Sequence, residues 1–151
     1  MNPTKKSASL LVVDDDPCMV RLLVMVISRA FGEDIAVEGF TDVRLAVERI
    51  EEGSVDILLT DLEMPEVDGL ELLRIAKRRN AYTQVLLLTG RSSHEALLAA
   101  LEAGATDYAL KPFDQQQLLE LVSQAHERRK RWQRALVDTW QQQKQMLAAR
   151  Q

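Results

Sequence analysis

Leu10-Leu11-Val12-Val13-Asp14-Asp15-Asp16 joins four apolar residues to three acids without a break. A short apolar run of this kind predicts a strand buried on both faces, in the centre of a parallel sheet. The acids then stand together at its carboxyl end, where open α/β sheets build their sites. Carboxylates packed so closely repel one another unless a cation holds them, and hard oxygen ligands select Mg²⁺ or Ca²⁺. Three further apolar runs end in polar residues at the equivalent place. Ile57-Leu58-Leu59-Thr60 ends in Asp61, Val85-Leu86-Leu87-Leu88 in Thr89, and Tyr108-Ala109-Leu110 in Lys111-Pro112. An acid cluster, a lone Asp, a hydroxyl and a Lys thus fall at carboxyl ends of successive strands.

Between these strands the periodicity turns helical. Asp16 can cap a helix with Pro17 at its first position and Val20, Leu23, Val24 and Ile27 as its buried stripe. Cys18, the single cysteine, sits early in that helix and is expected to pack as a small apolar residue. Ile35 to Phe40 alternates as a strand, and Val43, Ala46, Val47 and Ile50 give a second helical stripe. Met64 to Gly69 reads as a turn, Leu70 to Arg79 as a third helix, and Ser92 to Ala103 as a fourth, closed by Gly104. Short strands alternating with such helices predict a doubly wound parallel sheet with right-handed crossovers.

These motifs resemble the receiver domain of bacterial two-component response regulators. The likeness rests on LVVDDD at Leu11–Asp16, LLTDLEMPEVDGLELL at Leu58–Leu73, LLLTG at Leu86–Gly90 and DYALKPF at Asp107–Phe113. It covers about the first 125 residues and leaves the C-terminal helix unexplained. It implies a flavodoxin-like, five-stranded sheet in the order 2-1-3-4-5. It also implies an Mg²⁺-dependent acceptor that takes a phosphoryl group from a sensor histidine kinase or phosphotransfer protein. Asp61 would be the phosphoacceptor, and Asp14, Asp15, Asp61 and the backbone carbonyl of Glu63 would be the metal ligands. Lys111 and the Thr89 hydroxyl would contact phosphoryl oxygens, and Pro112 would follow a cis peptide. Thr89 and Tyr108 would form the switch, and Glu63 and Arg91 would flank the pocket mouth. The domain would catalyse only its own phosphorylation and dephosphorylation, which makes it a regulated binding module rather than an enzyme.

Each of these residues also has an ordinary reading. Asp61 could cap a helix, Thr89 could be a plain strand-end hydroxyl, Tyr108 a packed surface aromatic, and Lys111 a snorkelling lysine. His94 and His126 are both expected at the surface. A flavodoxin-like cofactor binder would keep the fold but needs a Gly/Ser/Thr-rich phosphate cradle after the first strand, where this chain has three carboxylates.

Composition is that of an ordinary soluble globular chain, with 46% apolar and 28% charged residues. No signal peptide or apolar run of membrane-spanning length is visible, and the cytoplasm is the expected location. Charge is uneven: residues 1–110 carry a net −8 and residues 111–151 a net +4. The reading divides the chain into a disordered lead at 1–9, a receiver domain at 10–126 and a helical extension at 127–151. The extension carries Arg128, Arg129, Lys130, Arg131 and Arg134, but these wrap around the helix, so DNA binding is not expected without a further domain. Val122, Ala125, Arg129, Trp132, Leu136, Thr139, Gln143 and Met146 step by three and four, as in a coiled coil. That spacing predicts a parallel homodimer; the alternative is a linker to an output domain.

Overall fold

The run at Leu10 lies in β1, Ala8–Val13, which begins two residues before the predicted strand, so Ala8 and Ser9 belong to the sheet. The computed structural model describes residues 7–64, 67–90 and 93–150. After β1 come α1 (Pro17–Phe31), a 3-10 turn at Gly32–Asp34, β2 (Ile35–Phe40) and α2 (Val43–Glu52). β3 (Ile57–Asp61), α3 (Gly69–Arg79), β4 (Gln84–Thr89), α4 (His94–Glu102), β5 (Asp107–Leu110) and α5 (Gln115–Ala149) complete the order. All strand pairs are parallel and the sheet runs β2-β1-β3-β4-β5, as the resemblance implies.

Successive residues of a strand point to opposite faces, which is why the central runs are continuously apolar. Leu10, Val12, Ile57, Leu59, Leu86 and Leu88 pack with residues of α1 and α5 on one face. Leu11, Val13, Leu58, Val85 and Leu87 pack with α2, α3 and α4 on the other. Side-chain caps start the helices: Asp16, Asp42, Asp68, Ser93 and Asp114 each accept a backbone N–H of the first turn. α4 therefore starts at His94 rather than Ser92.

Two expectations fail. Cys18 is exposed, because it lies on the outer side of the first turn of α1, whose core-facing side is taken by Met19, Val20 and Leu23. His126 is buried at 7% exposure, its Nδ1 without a hydrogen-bond partner. It stacks four residues after the buried Val122, so the body-facing side of α5 is wide enough to take it in. Burial, then the positive charges of Lys130 and Arg129, push its pKa down. His94 is exposed, as expected.

At the amino end of the sheet a small polar junction ties the body together. Asp56 Oδ2 accepts the Ser9 N–H at 2.8 Å, and Ser9 O accepts the Asp56 N–H at 2.9 Å. Asp56 Oδ1 lies 3.8 Å from Arg129 Nη1, which brings α5 into the same junction. Beside it is a cavity of about 490 Å³ between the body and α5. Beyond this level α5 leaves the body, and every residue from Arg131 to Arg150 is exposed.

Candidate functional site

At the opposite end of the sheet, adjacent strands stop at the same height and place their last residues side by side. β1 hands Asp14 and Asp15 to the edge, β3 ends on Asp61, β4 on Thr89, and Lys111 follows β5. Asp14 is held by its N–H to Phe40 O at 3.2 Å, and its Oδ1 accepts the Asp16 N–H at 2.9 Å. Asp16 points away to cap α1, as expected.

Lys111 bridges the two buried carboxylates: its Nζ lies 3.0 Å from Asp61 Oδ2 and 3.2 Å from Asp14 Oδ2. Burial works to lower the Lys111 pKa, but the hydrogen bonds and charges of Asp61 and Asp14 outweigh it and hold the ammonium above its ordinary value. Its backbone is fixed as well, with the Lys111 N–H on Thr89 O at 2.8 Å and a cis peptide to Pro112.

Among the described residues, one ammonium bonded to Asp14 and Asp61 stands in a cluster of three acids. Carboxylate oxygens of Asp14, Asp15 and Asp61 lie within 4.8 Å of one another. Partial desolvation, then the hydrogen bond and charge of Asp14, and lastly the charge of Asp61 raise the Asp15 pKa. Three carboxylates beside one ammonium leave two negative charges unbalanced, and such a cluster of hard oxygens fits a divalent cation of the Mg²⁺ type.

The remaining predicted residues are placed as follows. Glu63 donates its N–H to Asp61 Oδ1 at 3.0 Å, which sets its peptide beside the pocket while its side chain is exposed. Thr89 is fully buried at the end of β4. Tyr108 lies outward, 53% exposed, against a cavity of about 390 Å³ lined by Leu87, His94, Leu97, Leu98 and Leu101. Arg91 lies outside the described residues, as do Pro65 and Glu66 of the predicted turn.

The sequence reading passed over Gly69. A Cβ there would collide with the Asp61 carbonyl oxygen and lie 2.7 Å from Leu62 Cα, so only glycine lets α3 press this close behind the site. Its N–H donates to Leu62 O at 2.9 Å. The signal was visible in the Asp68-Gly69 pair that opens α3, but nothing in spacing says what a glycine will touch.

Comparison with known proteins places this architecture. Residues 10–123 match the response regulator receiver domain family. The chain belongs to that family. It is 36% identical over 110 residues to the transcriptional regulatory protein TrcR of Mycobacterium tuberculosis, a match covering 73% of this chain and 42% of that protein. The chain therefore spans less than half the length of such relatives. Among solved structures, a receiver domain protein from Clostridium thermocellum superposes with a TM-score of 0.74 at 26% identity, over 82% of this chain and 97% of that one. The receiver domain of a Francisella response regulator gives 0.67 at 29% identity, over 81% and 98%. Receiver domains are signalling domains that bind Mg²⁺ at an acidic pocket, and this chain has the acidic cluster. Among the described residues no helix is long and apolar enough to cross a membrane.

Proposed function

We propose that Asp61 accepts a phosphoryl group from a phosphohistidine of a kinase or phosphotransfer protein, and that the resulting charge switches a partner interaction. The observation that carries this reading is the Lys111 bridge between Asp14 and Asp61, which fixes a cation beside a nucleophile in a pocket with a charge deficit. An Asp61 carboxylate oxygen attacks phosphorus, a P–O bond forms, the P–N bond to the donor breaks, and the imidazole leaves with the electron pair. Asp14, Asp15, Asp61 and the Glu63 carbonyl would hold Mg²⁺, which when bound offsets charge on the transferring oxygens.

Lys111 follows the phosphoryl group and contacts one of its oxygens, and the Thr89 hydroxyl contacts another. That second contact draws the loop after β4 inward. Tyr108 then turns into the space beside α4, for which the cavity against its ring leaves room. Glu63, together with Arg91 as the family resemblance implies, would slow hydrolysis by obstructing the attacking water. Glu63→Asn combined with Arg91→Glu should therefore shorten the phosphate lifetime. The domain catalyses these steps on itself and acts on no external metabolite. A second copy of the chain is the partner for the exposed C-terminal helix, and the cytoplasm is where these partners are met. Incubation with Mg²⁺ and a small acyl-phosphate donor tests the central claim: wild type should be labelled stoichiometrically and Asp61→Asn not at all. Persistent labelling of that variant would refute the assignment.

A further inference from the structure

The cavity of about 490 Å³ between the body and α5 lies at the end of the sheet opposite the acidic pocket. Its wall includes Lys77 from the last turn of α3, Tyr82 and Gln84 at the start of β4, and Arg128 and Trp132 of α5. That size falls within the roughly 300–1,000 Å³ of small-molecule sites.

Two buried polar atoms of this wall have no hydrogen-bond partner among the described residues: Gln84 Oε1 and Arg128 Nη1. Gln84 is only 4% exposed. Its Nε2 donates to Tyr82 O at 3.1 Å, so the amide cannot turn over without breaking that bond, and the oxygen is left as a free acceptor. A buried donor and a buried acceptor left unmet each cost stability, which a molecule in the cavity would recover.

The charge of the wall is one-sided. Lys77 Nζ gives one N–H to Ala81 O at 3.2 Å, and among the described residues neither Lys77 nor Arg128 belongs to an ion pair. Burial lowers the Lys77 pKa, with no carboxylate to offset it. Arg129, the next residue along α5, differs in having Asp56 to face. Tyr82 and Trp132 complete the wall with half of their surface open. A planar ring set against these aromatic side chains buries apolar surface that water now covers.

We propose that this cavity binds a small aromatic carboxylate that carries a hydroxyl or amine on its ring. The carboxylate takes N–H groups of Arg128 and Lys77, the ring donor bonds Gln84 Oε1, and the ring lies against Tyr82 and Trp132. The planar fork of an arginine matches a carboxylate well. An inorganic anion would meet the cations and leave Gln84 Oε1 without a donor, and an uncharged phenol would do the reverse. A molecule with both groups answers the whole wall. When filled, the site ties Arg128 and Trp132 to the loop before β4, at the level where α5 leaves the body. This inference is independent of the phosphoacceptor reading.

The probes are 3-hydroxybenzoate and 4-hydroxybenzoate, with benzoate, phenol and inorganic phosphate as controls. Full-length Trp140→Phe protein leaves Trp132 as its one tryptophan, so emission and titration heat can be read together. At least one hydroxybenzoate should bind saturably with a Kd on the order of 100 µM, given about ten non-hydrogen atoms, and change the Trp132 emission. Benzoate, phenol and phosphate should each bind about tenfold more weakly or worse, having lost one of the two groups. Arg128→Met and Gln84→Met should each raise the hydroxybenzoate Kd by about tenfold. Arg128 is half-buried on a helix, so its variant keeps the test open if Gln84→Met does not fold. No saturable signal from either hydroxybenzoate at millimolar concentration would overturn the proposal. Phosphate binding as tightly as a hydroxybenzoate would overturn the aromatic class. An unchanged Kd in Arg128→Met would put the binding elsewhere on the chain and overturn the site.

Discussion

The two ends of the sheet hold acids in opposite circumstances. At the amino end, Asp56 receives one backbone N–H and faces one guanidinium, so its charge is met. At the carboxyl end, Asp14, Asp15 and Asp61 cluster together, and among the described residues Lys111 alone brings them an ammonium, bonded to Asp14 and Asp61. Both sets are placed by strand ends and both involve buried or half-buried carboxylates. The difference lies in the balance: a matched acid fastens elements together, while an unmatched cluster waits for a cation and can act as a nucleophile.

The largest expected effect breaks this comparison in one step. Asp61→Asn should remove all phosphoryl labelling, whereas Asp56→Asn should label at the wild-type rate. Loss of labelling in both variants would mean that the amino end is not merely structural. Next in size is Lys111→Met, which leaves Asp14 and Asp61 facing each other without their cation. Its melting temperature should fall by the equivalent of about 2 kcal/mol, less than breaking a fully buried pair costs because Lys111 is a quarter exposed, and millimolar Mg²⁺ should restore part of it. Asp56→Ala should lose about 1 kcal/mol in denaturant titration and gain nothing from Mg²⁺.

Asp15→Asn should have the opposite sign. Its raised pKa means that the folded state holds the proton more tightly than the unfolded chain, so the ionised form costs stability at neutral pH. Removing that charge should stabilise the metal-free protein, by on the order of 1 kcal/mol or less after solvent screening. It should also weaken the stabilisation by Mg²⁺. A thermal melt that falls instead would show that the cluster is already balanced.

The smallest effect belongs to His126. Its lowered pKa makes the unfolded chain bind the proton first as pH falls. The stability this gives is complete above the unfolded histidine value, near about 6.5, and is lost as pH drops towards the folded value. Melting temperatures measured between pH 7.5 and pH 5 should therefore slope less in His126→Leu than in wild type.

Strands and pocket could be read from the chain because both are written in short local patterns. Val12 and Leu59 are apolar in runs buried on both faces, and Asp61, Thr89 and Lys111 each follow such a run directly. The strand order was another matter: it came from the resemblance, since periodicity alone does not say which strands are neighbours. What stayed hidden were contacts made across long distances. His126 looks like any surface histidine until α5 is laid on the body. Cys18 looks packable until Met19 and Val20 are seen to take the core-facing side of the first turn of α1. Gly69 reads as the last residue of a turn, and only the fold shows the Asp61 carbonyl behind it.

α5 begins four residues after Lys111, with a capping box that locks Asp114 and Gln117 to each other's backbone. From there to Ala149 it runs without interruption. A rod rooted so near the reacting centre works as a pointer. Some 20 residues project beyond the body, about 30 Å at the helical rise, so a tilt of about 5° at the root sweeps the tip through roughly 2.5 Å. A rearrangement too small to notice inside the pocket is thereby enlarged to the width of a side chain at the far end.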